Sequence, residues 1–371
     1  MARLDLIFTG DLVLDEPDPD HWLGDLAPAL RSADVAIGHL EVPHTKRGSE
    51  LEGDVPAPGA EPEHLDAVAR AGFAAVSLAG NHIADCGPEG IADTIARLDQ
   101  LGIAHSGAGL TIDAAKAPAR VQRAGRTITL LSFNCVGPEN AWATATRAGC
   151  AYVRIRTADG STVVPTAPFT EPDPDSLAEM QNDIREARRD ADVLVVALHK
   201  GIVHRRAELA PYERAVAHAA IDAGADIVVG HHAHITRGIE MYRGKPIFHG
   251  LGNGCVVTRA LSPQQSHAAR AAWARKRREL FGFEPDPAYE LAPFHPEAVN
   301  AIMGRVRLHD SGAMDVGIVP VHVDPPGRPR LATASEAQRI SDYIKTITTE
   351  AHLPSIELTL RPDGAWLETA R

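Results

Sequence analysis

Residues 224–234 read GADIVVGHHAH. An apolar run from Ile227 to Val229, the pattern of a strand buried on both faces, leads directly into a glycine and then His231, His232 and His234. Histidines crowded at the end of a buried strand are difficult to satisfy without a metal ion, for which neutral imidazole is a ready ligand. Upstream, further Gly-flanked segments place a ligand-type side chain close behind an apolar run. These are Asp11 in IFTGD, Glu41 in IGHLE, Asn81 with His82 in LAGNH, and His199 in VVALHKG. Each has an ordinary explanation in isolation: an Asp after a strand caps a helix or turn, an Asn tolerates left-handed backbone, a single His can be a hydrogen-bonded core residue. Together and in this order they point to two divalent ions held by oxygen and imidazole donors, with one carboxylate bridging. Such a mixture suits zinc, iron or manganese and disfavours calcium.

The surrounding pattern predicts an α/β chain. LDLIFTG, VAIGHLE, AAVSLAG, DVLVVALHKG and ADIVVGHHAH read as strands, separated by helical stretches such as DLAPALRSA, PEHLDAVARAG, IADTIARLDQLG, SLAEMQNDIREARRDA and YERAVAHAAIDAG. Gly102 suits a helix C-terminus, and PARVQRAGRTITLLSFN reads as a hairpin turning at Ala-Gly-Arg. Between Cys135 and Asp175 the sequence becomes polar and proline-containing, which predicts a long surface loop. Residues 1–255 are expected to form the metal-binding core and 256–300 a helical insertion or lid. Residues 301–371 are expected to add strands and a helix that complete the same domain. In the insertion, ARAAWARKRREL is expected to be a solvated amphipathic helix, with Trp273 and Leu280 on one side, or else a lid or subunit contact. Strand ends suit the ligands, because residues at the carboxyl edge of a parallel sheet converge on one crevice.

The composition is that of an ordinary globular enzyme: 371 residues, 44% hydrophobic, with a net charge of -12. The negative balance argues against a nucleic-acid partner, which needs a basic face, though not against a small anionic substrate. No run of about twenty apolar residues suggests a membrane span, and MARLDLIFTGD enters a strand with no secretory leader pattern before it. A cytoplasmic location follows as an expectation, with a homo-oligomer permitted. Cys86, Cys135, Cys150 and Cys255 form no CxxC pair and are expected to be buried thiols.

In order, Gly10-Asp11, His39-Leu40-Glu41, Gly80-Asn81-His82 with Asp85, His199-Lys200-Gly201 and Gly230-His231-His232-Ala233-His234 resemble the motifs of the CapA family of poly-gamma-glutamate synthesis proteins. That family belongs to the calcineurin-like metallophosphoesterase fold group. The resemblance implies a layered β-sandwich flanked by helices. It also implies a centre in which Asp11 and His234 hold one ion, Asn81, His199 and His232 the other, and Glu41 bridges them. His231 remains a substitute for His232. His82 is then the general acid for the leaving group, oriented by Asp85, while a hydroxide between the ions attacks. The implied activity is hydrolysis of an amide or peptide-like bond in a carboxylate-bearing small or short oligomeric substrate. Phosphoester hydrolysis is the alternative, and a non-catalytic metal-binding subunit of a polymer-synthesis assembly the third reading.

Departures from the family pattern carry expectations of their own. His39 stands where Asn is usual, as an extra ligand or a group fixing Glu41. Lys200 replaces the usual Trp and is a candidate to receive a substrate carboxylate. Gly254 replaces an aromatic, suggesting a roomier or differently shaped wall. Arg205, Arg206 and Arg237 follow the late ligands and could meet an anionic substrate.

Overall fold

A computed structural model describes residues 3–48, 51, 59–260, 266, 268–283, 286–291 and 295–368. The chain opens with four strands, β1 (Arg3–Leu14), β2 (Val35–Leu40), β3 (Phe73–Ser77) and β4 (Ala104–Ser106). It then crosses to β5 (Ala119–Arg123), β6 (Arg126–Asn134), β7 (Val193–Lys200), β8 (Ile227–His232), β9 (Ile239–Tyr242) and β10 (Lys245–Phe248). It returns through β11 (Asn253–Val257), β12 (Asn300–His309), β13 (Met314–Asp324), β14 (Arg328–Leu331), β15 (Leu358–Arg361) and β16 (Gly364–Leu367).

These strands make two sheets. The ten-stranded sheet has the order β15-β16-β13-β12-β1-β2-β3-β4, with β11 on β1 and β14 on β13; the six-stranded sheet has the order β9-β10-β8-β7-β6-β5. β1 to β4 run parallel, as do β6, β7 and β8. The first half of β1 pairs antiparallel with β12, and from Asp11 onward β1 pairs in parallel with β11 instead.

Strand alternation sorts the side chains into layers. Leu4, Leu6, Phe8, Val35, Ile37 and Ala75 of the large sheet meet Ile128, Leu130, Val193, Val195, Ala197, Ile227 and Val229 of the small one in a core between the sheets. On the outer face of the large sheet, Ile7, Leu12, Leu14, Ala36, Leu40 and Val76 pack on helices that include Leu65–Ala71 and Gly87–Leu101. On the outer face of the small sheet, Leu194, Val196, Leu198 and Val228 pack under helices Pro174–Arg188 and Pro211–Ala223. The result is a helix-sheet-sheet-helix sandwich, the expected layered α/β architecture. Strands buried on both faces account for the unbroken apolar runs in the sequence.

One irregularity positions the site. In β1, Leu4, Leu6 and Phe8 face the core between the sheets, yet Leu12 and Leu14 face outward with Ile7. The parity changes because β1 carries an extra residue against β2 between Phe8 and Asp11. This bulge turns Asp11 from the outer face to the inner one. At the same place a Cβ on Gly10 would be driven into the carbonyl oxygen of Gly252, and one on Gly254 would sit 2.8 Å from the carbonyl oxygen of Gly10. Gly254 is therefore a point of close backbone approach, which leaves a differently shaped wall and not a roomier one.

The stretch after Cys135 also departs from expectation. Instead of a solvated loop it folds back on itself, with Trp142, Val153, Ile155 and Val163 buried. The Trp142 and Tyr152 rings stack at 4.2 Å, and the Arg154 guanidinium lies 4.8 Å from the Trp142 ring centre. The Asn134 side chain anchors its start, accepting from the backbone of Val136 and Gly137. A few well-placed aromatics and one amide thus order a segment whose overall composition is polar.

The hairpin is present, turning at Ala124 and Gly125 with φ of 51° and 73°, and Gly102 ends its helix at φ 69°. Helix Ala268–Phe281 occupies the basic segment, but the side chains of Trp273 and Leu280 lie outside the described residues. All four cysteines are buried free thiols. Among the described residues, no helix is long and apolar enough to cross a membrane. A Gly10→Ala substitution should destabilise the protein by about 1–3 kcal/mol through overpacking at the bulge, read as a lowered midpoint in chemical denaturation.

Candidate metal centre

The expected ligands lie at the C-terminal ends of parallel strands, where the two sheets come together. Asp11 follows the β1 bulge, Glu41 follows β2, Asn81 and His82 follow β3, His199 lies near the end of β7, and His232 ends β8 with His234 two residues on. Alternation explains the convergence: His39 and Glu41 continue the inward parity of Val35 and Ile37, and His199 continues that of Val193, Val195 and Ala197. The Asp11 carboxylate spans the sheets, accepting from the His232 backbone N–H at 3.3 and 3.4 Å.

Two groups of donors form around it. In one, ligand atoms of Asp11, Glu41 and His234 lie within 4.8 Å of one another, and in the other those of Asp11, His39 and His199 do. His234 Nε2 is 3.2 Å from Glu41 Oε1, and His234 Nδ1 donates to Asn253 Oδ1 at 2.9 Å. On the other side His199 Nε2 is 2.6 Å from Asn81 Oδ1 and 3.1 Å from His232 Nδ1. Asp11 is common to both groups, and Glu41, the bridge that the family resemblance implies, lies in the first. His232 and His234 both have left-handed backbone, with φ of 87° and 51°. That strain is held where the two side chains must turn into the crevice.

Glu41 Oε2, His39 Nε2, His199 Nδ1, His231 Nδ1 and His232 Nε2 are buried and without a hydrogen-bond partner. An orphaned buried polar atom costs about 1–3 kcal/mol, so this concentration of them fits a centre completed by cations. Electrostatics agree. Burial and the neighbouring Glu41 push the Asp11 carboxyl well above the ordinary range. Burial opposes ionisation of Glu41, but His234 outweighs it and brings Glu41 down to about 2. Burial likewise opposes charge on His234, yet Glu41 and then Asp11 raise it from 6.5 to about 9. A proton on His234 would offset the two carboxylates as a cation would.

His82 sits at the rim with its side chain 12% exposed, and its Nδ1–H donates to Asp85 Oδ2 at 2.7 Å. Asn253 was not among the sequence-derived site residues, although its place after Leu251-Gly252 and beside Asp11 in the β1–β11 register puts it there. His204 was also passed over, having no strand pattern around it. Its ring centre lies 6.3 Å from that of His234 and 5.1 Å from that of Phe283, which in turn lies 4.8 Å from His295.

A model of the family described as bacterial capsule synthesis protein PGA_cap matches residues 5–256. The chain belongs to this family. Among its curated relatives, the PGA biosynthesis protein CapA of Bacillus subtilis is 28% identical over 77% of this chain and 72% of its own length. The capsule biosynthesis protein CapA of Bacillus anthracis is 26% identical, over 68% of this chain and 59% of the relative. A probable polyglutamine synthesis accessory protein of Mycobacterium tuberculosis is 30% identical over 64% of this chain and 60% of its own. Among solved structures, the calcineurin-like phosphoesterase YfkN from Bacillus subtilis aligns over 94% of this chain and 96% of its own at 14% identity, with a TM-score of 0.34. The family assignment therefore rests on the sequence match, and the layered fold on the sheet order and packing described above.

The basic residues of this PGA_cap family member are placed differently from expectation. Lys200 is fully buried, with Nζ 2.9 Å from Glu213 Oε2 and 3.2 Å from the His249 carbonyl. Strand parity is the reason: next to inward-facing His199, Lys200 must face the outer helix layer. Arg237 is buried on the same Glu213, and Arg206 is held by Glu297 at 3.0 Å and Glu350 at 3.1 Å. Arg205 alone of the three is mostly exposed, 3.9 Å from Glu208. Burial raises the Glu213 pKa, but Arg237 and Lys200 outweigh it and hold it at about 2.

Glu213→Gln should cost about 3–5 kcal/mol, because it leaves Lys200 and Arg237 undercompensated in the interior; urea denaturation measures this. For His234 the folded pKa exceeds the free value. Its contribution to the metal-free protein is therefore complete below the ordinary 6.5 and is lost as pH rises through about 9. The melting temperature of the metal-free protein should fall across that window. Divalent-ion affinity by chelator competition should rise through the same window, about tenfold per pH unit for each proton displaced.

Proposed function

We propose that the protein is a hydrolase that depends on two divalent metal ions and cleaves an amide or peptide-like bond in a carboxylate-bearing substrate. The observation that carries this reading is the convergence of Asp11, Glu41, Asn81, His199, His232 and His234 in one buried crevice, with the His82–Asp85 pair at its rim. The names of the relatives, which concern PGA and capsule biosynthesis, together with the resemblance to poly-gamma-glutamate synthesis proteins, suggest the substrate class. Zinc, manganese or iron suits the mixed donors.

Ions held by Asp11, Glu41, Asn81, His199, His232 and His234 would supply an activated water and neutralise charge developing on the carbonyl oxygen. The chain's own residues do the rest. Asp85 accepts the Nδ1 proton of His82 and fixes the ring, so that Nε2 can hold a proton for the leaving amine. Asn253 fixes the His234 ring in the same manner. His204, Phe283 and His295 form a wall beside His234, and Arg205, next to His204 and mostly exposed, is a cation that could meet a substrate carboxylate. The same pair of ions would also suit the oxygens of a phosphoester, so the preference for the amide rests on the names of the relatives.

Metal analysis of the purified protein should find about two transition-metal ions per chain, with fewer in Asp11→Ala and His232→Ala. Absence of metal before and after reconstitution in the wild-type protein defeats the proposal. Loaded enzyme should hydrolyse gamma-glutamyl amides in preference to phosphoesters, and the reverse preference replaces the amide reading with the phosphoesterase one. His82→Ala should keep its metal and lose about 10²-fold or more in turnover.

A further inference from the structure

We infer that His39 is a metal ligand, completing with Asp11 and His199 the half of the centre opposite Glu41 and His234. The assignment rests on the two-ion reading above and adds to it a residue outside the ligand set carried by the family resemblance.

Placement is the first support. In the β1–β2 register Asp11 lies directly opposite His39, a pairing created by the same bulge that turns Asp11 inward. His39 shares the inner face of β2 with Ile37 and Glu41. Ligand atoms of His39, Asp11 and His199 all lie within 4.8 Å of one another, and all three residues are buried. The His39 ring lies 4.7 Å from that of His199 and 4.6 Å from that of His231.

The hydrogen bonds supply the second. His39 Nδ1 is 2.9 Å from Ser77 Oγ, and that hydroxyl in turn reaches the Gly38 carbonyl at 3.4 Å. With Ser77 donating to Gly38, its oxygen accepts from Nδ1–H, which fixes the tautomer and leaves the lone pair on Nε2. His39 Nε2 is buried and has no hydrogen-bond partner. One ring nitrogen anchored on an oxygen and the other bare is the arrangement of a metal-binding histidine and its supporting shell. A histidine serving only to fix Glu41 would bond to that carboxylate, and His39 makes no such bond.

Wild-type protein and the His39→Asn, His39→Gln and Ser77→Ala variants, stripped with chelator and reloaded with Co²⁺, distinguish the roles. Circular dichroism of the stripped proteins checks that each is folded. His39→Asn should bind one of its two ions more weakly, by more than the roughly 10- to 100-fold typical of losing an outer-shell partner, while Ser77→Ala falls within that range. The visible d–d bands of the cobalt protein should change in His39→Asn and His39→Gln. Two ions bound with wild-type affinity and superimposable bands in the folded His39 variants overturn the assignment alone. Failure of the wild-type protein to take up any ion overturns the two-ion reading along with it.

Discussion

The extra residue in β1 between Phe8 and Asp11 is the constraint on which the site depends. A strand with regular alternation would leave Asp11 on the outer face among the apolar partners of Ile7. The bulge shifts the parity by one, so that Asp11 enters the crevice while Leu12 and Leu14 keep the outer layer packed. Bulges re-aim side chains next to functional sites because a single residue changes which face a side chain takes without disturbing the rest of the sheet. Here the re-aiming also requires Gly10, where the backbone of the Gly252 segment leaves no room for a side chain.

The second constraint is the division of labour at the end of β7. His199 and Lys200 are adjacent in sequence but separated by the thickness of the sheet. His199 faces the crevice with Asn81 and His232, and Lys200 joins Glu213, Arg237 and His249 behind it. Glu213 also caps its own helix through the Ala210 N–H at 2.7 Å. One carboxylate thus ties the ends of the ligand-bearing strands to the helix layer, so the strand ends cannot drift while the crevice in front of them remains polar and partly unsatisfied. Rigid backing of this kind is what holds a ligand set in geometry before an ion arrives.

Much of this was legible in the sequence. Apolar runs ending in Gly and a polar residue identify both the parallel strands and the ligands, because a strand buried on both faces leaves its chemistry only at its end. The helix stop at Gly102 and the turn at Ala124-Gly125 follow from the left-handed backbone that each position needs. Other features were not legible, for separate reasons. The position of Lys200 was encoded in parity, which adjacency to His199 obscured. The closeness of Gly254 to Gly10 depends on a pairing between segments over two hundred residues apart. The order in the stretch after Cys135 comes from Trp142, Tyr152 and Asn134, three residues that composition averages away. The left-handed backbone at His232 and His234 was not legible because few residues other than glycine adopt it, although histidine does so more often than most.

The two sheets are joined mainly by apolar burial, but at their C-terminal edge the donors come from both: Asp11, His39 and Glu41 from one, His199, His232 and His234 from the other. Any cation held there is a cross-tie between layers, and the unfolded chain offers no comparable assembly of donors. By mass action, the folded state then gains RT ln(1 + [ion]/Kd), and the stability of the sandwich becomes a function of free-ion concentration in its surroundings. For a sandwich tied in this way, scarcity of the ion would remove that increment of stability from the fold as a whole.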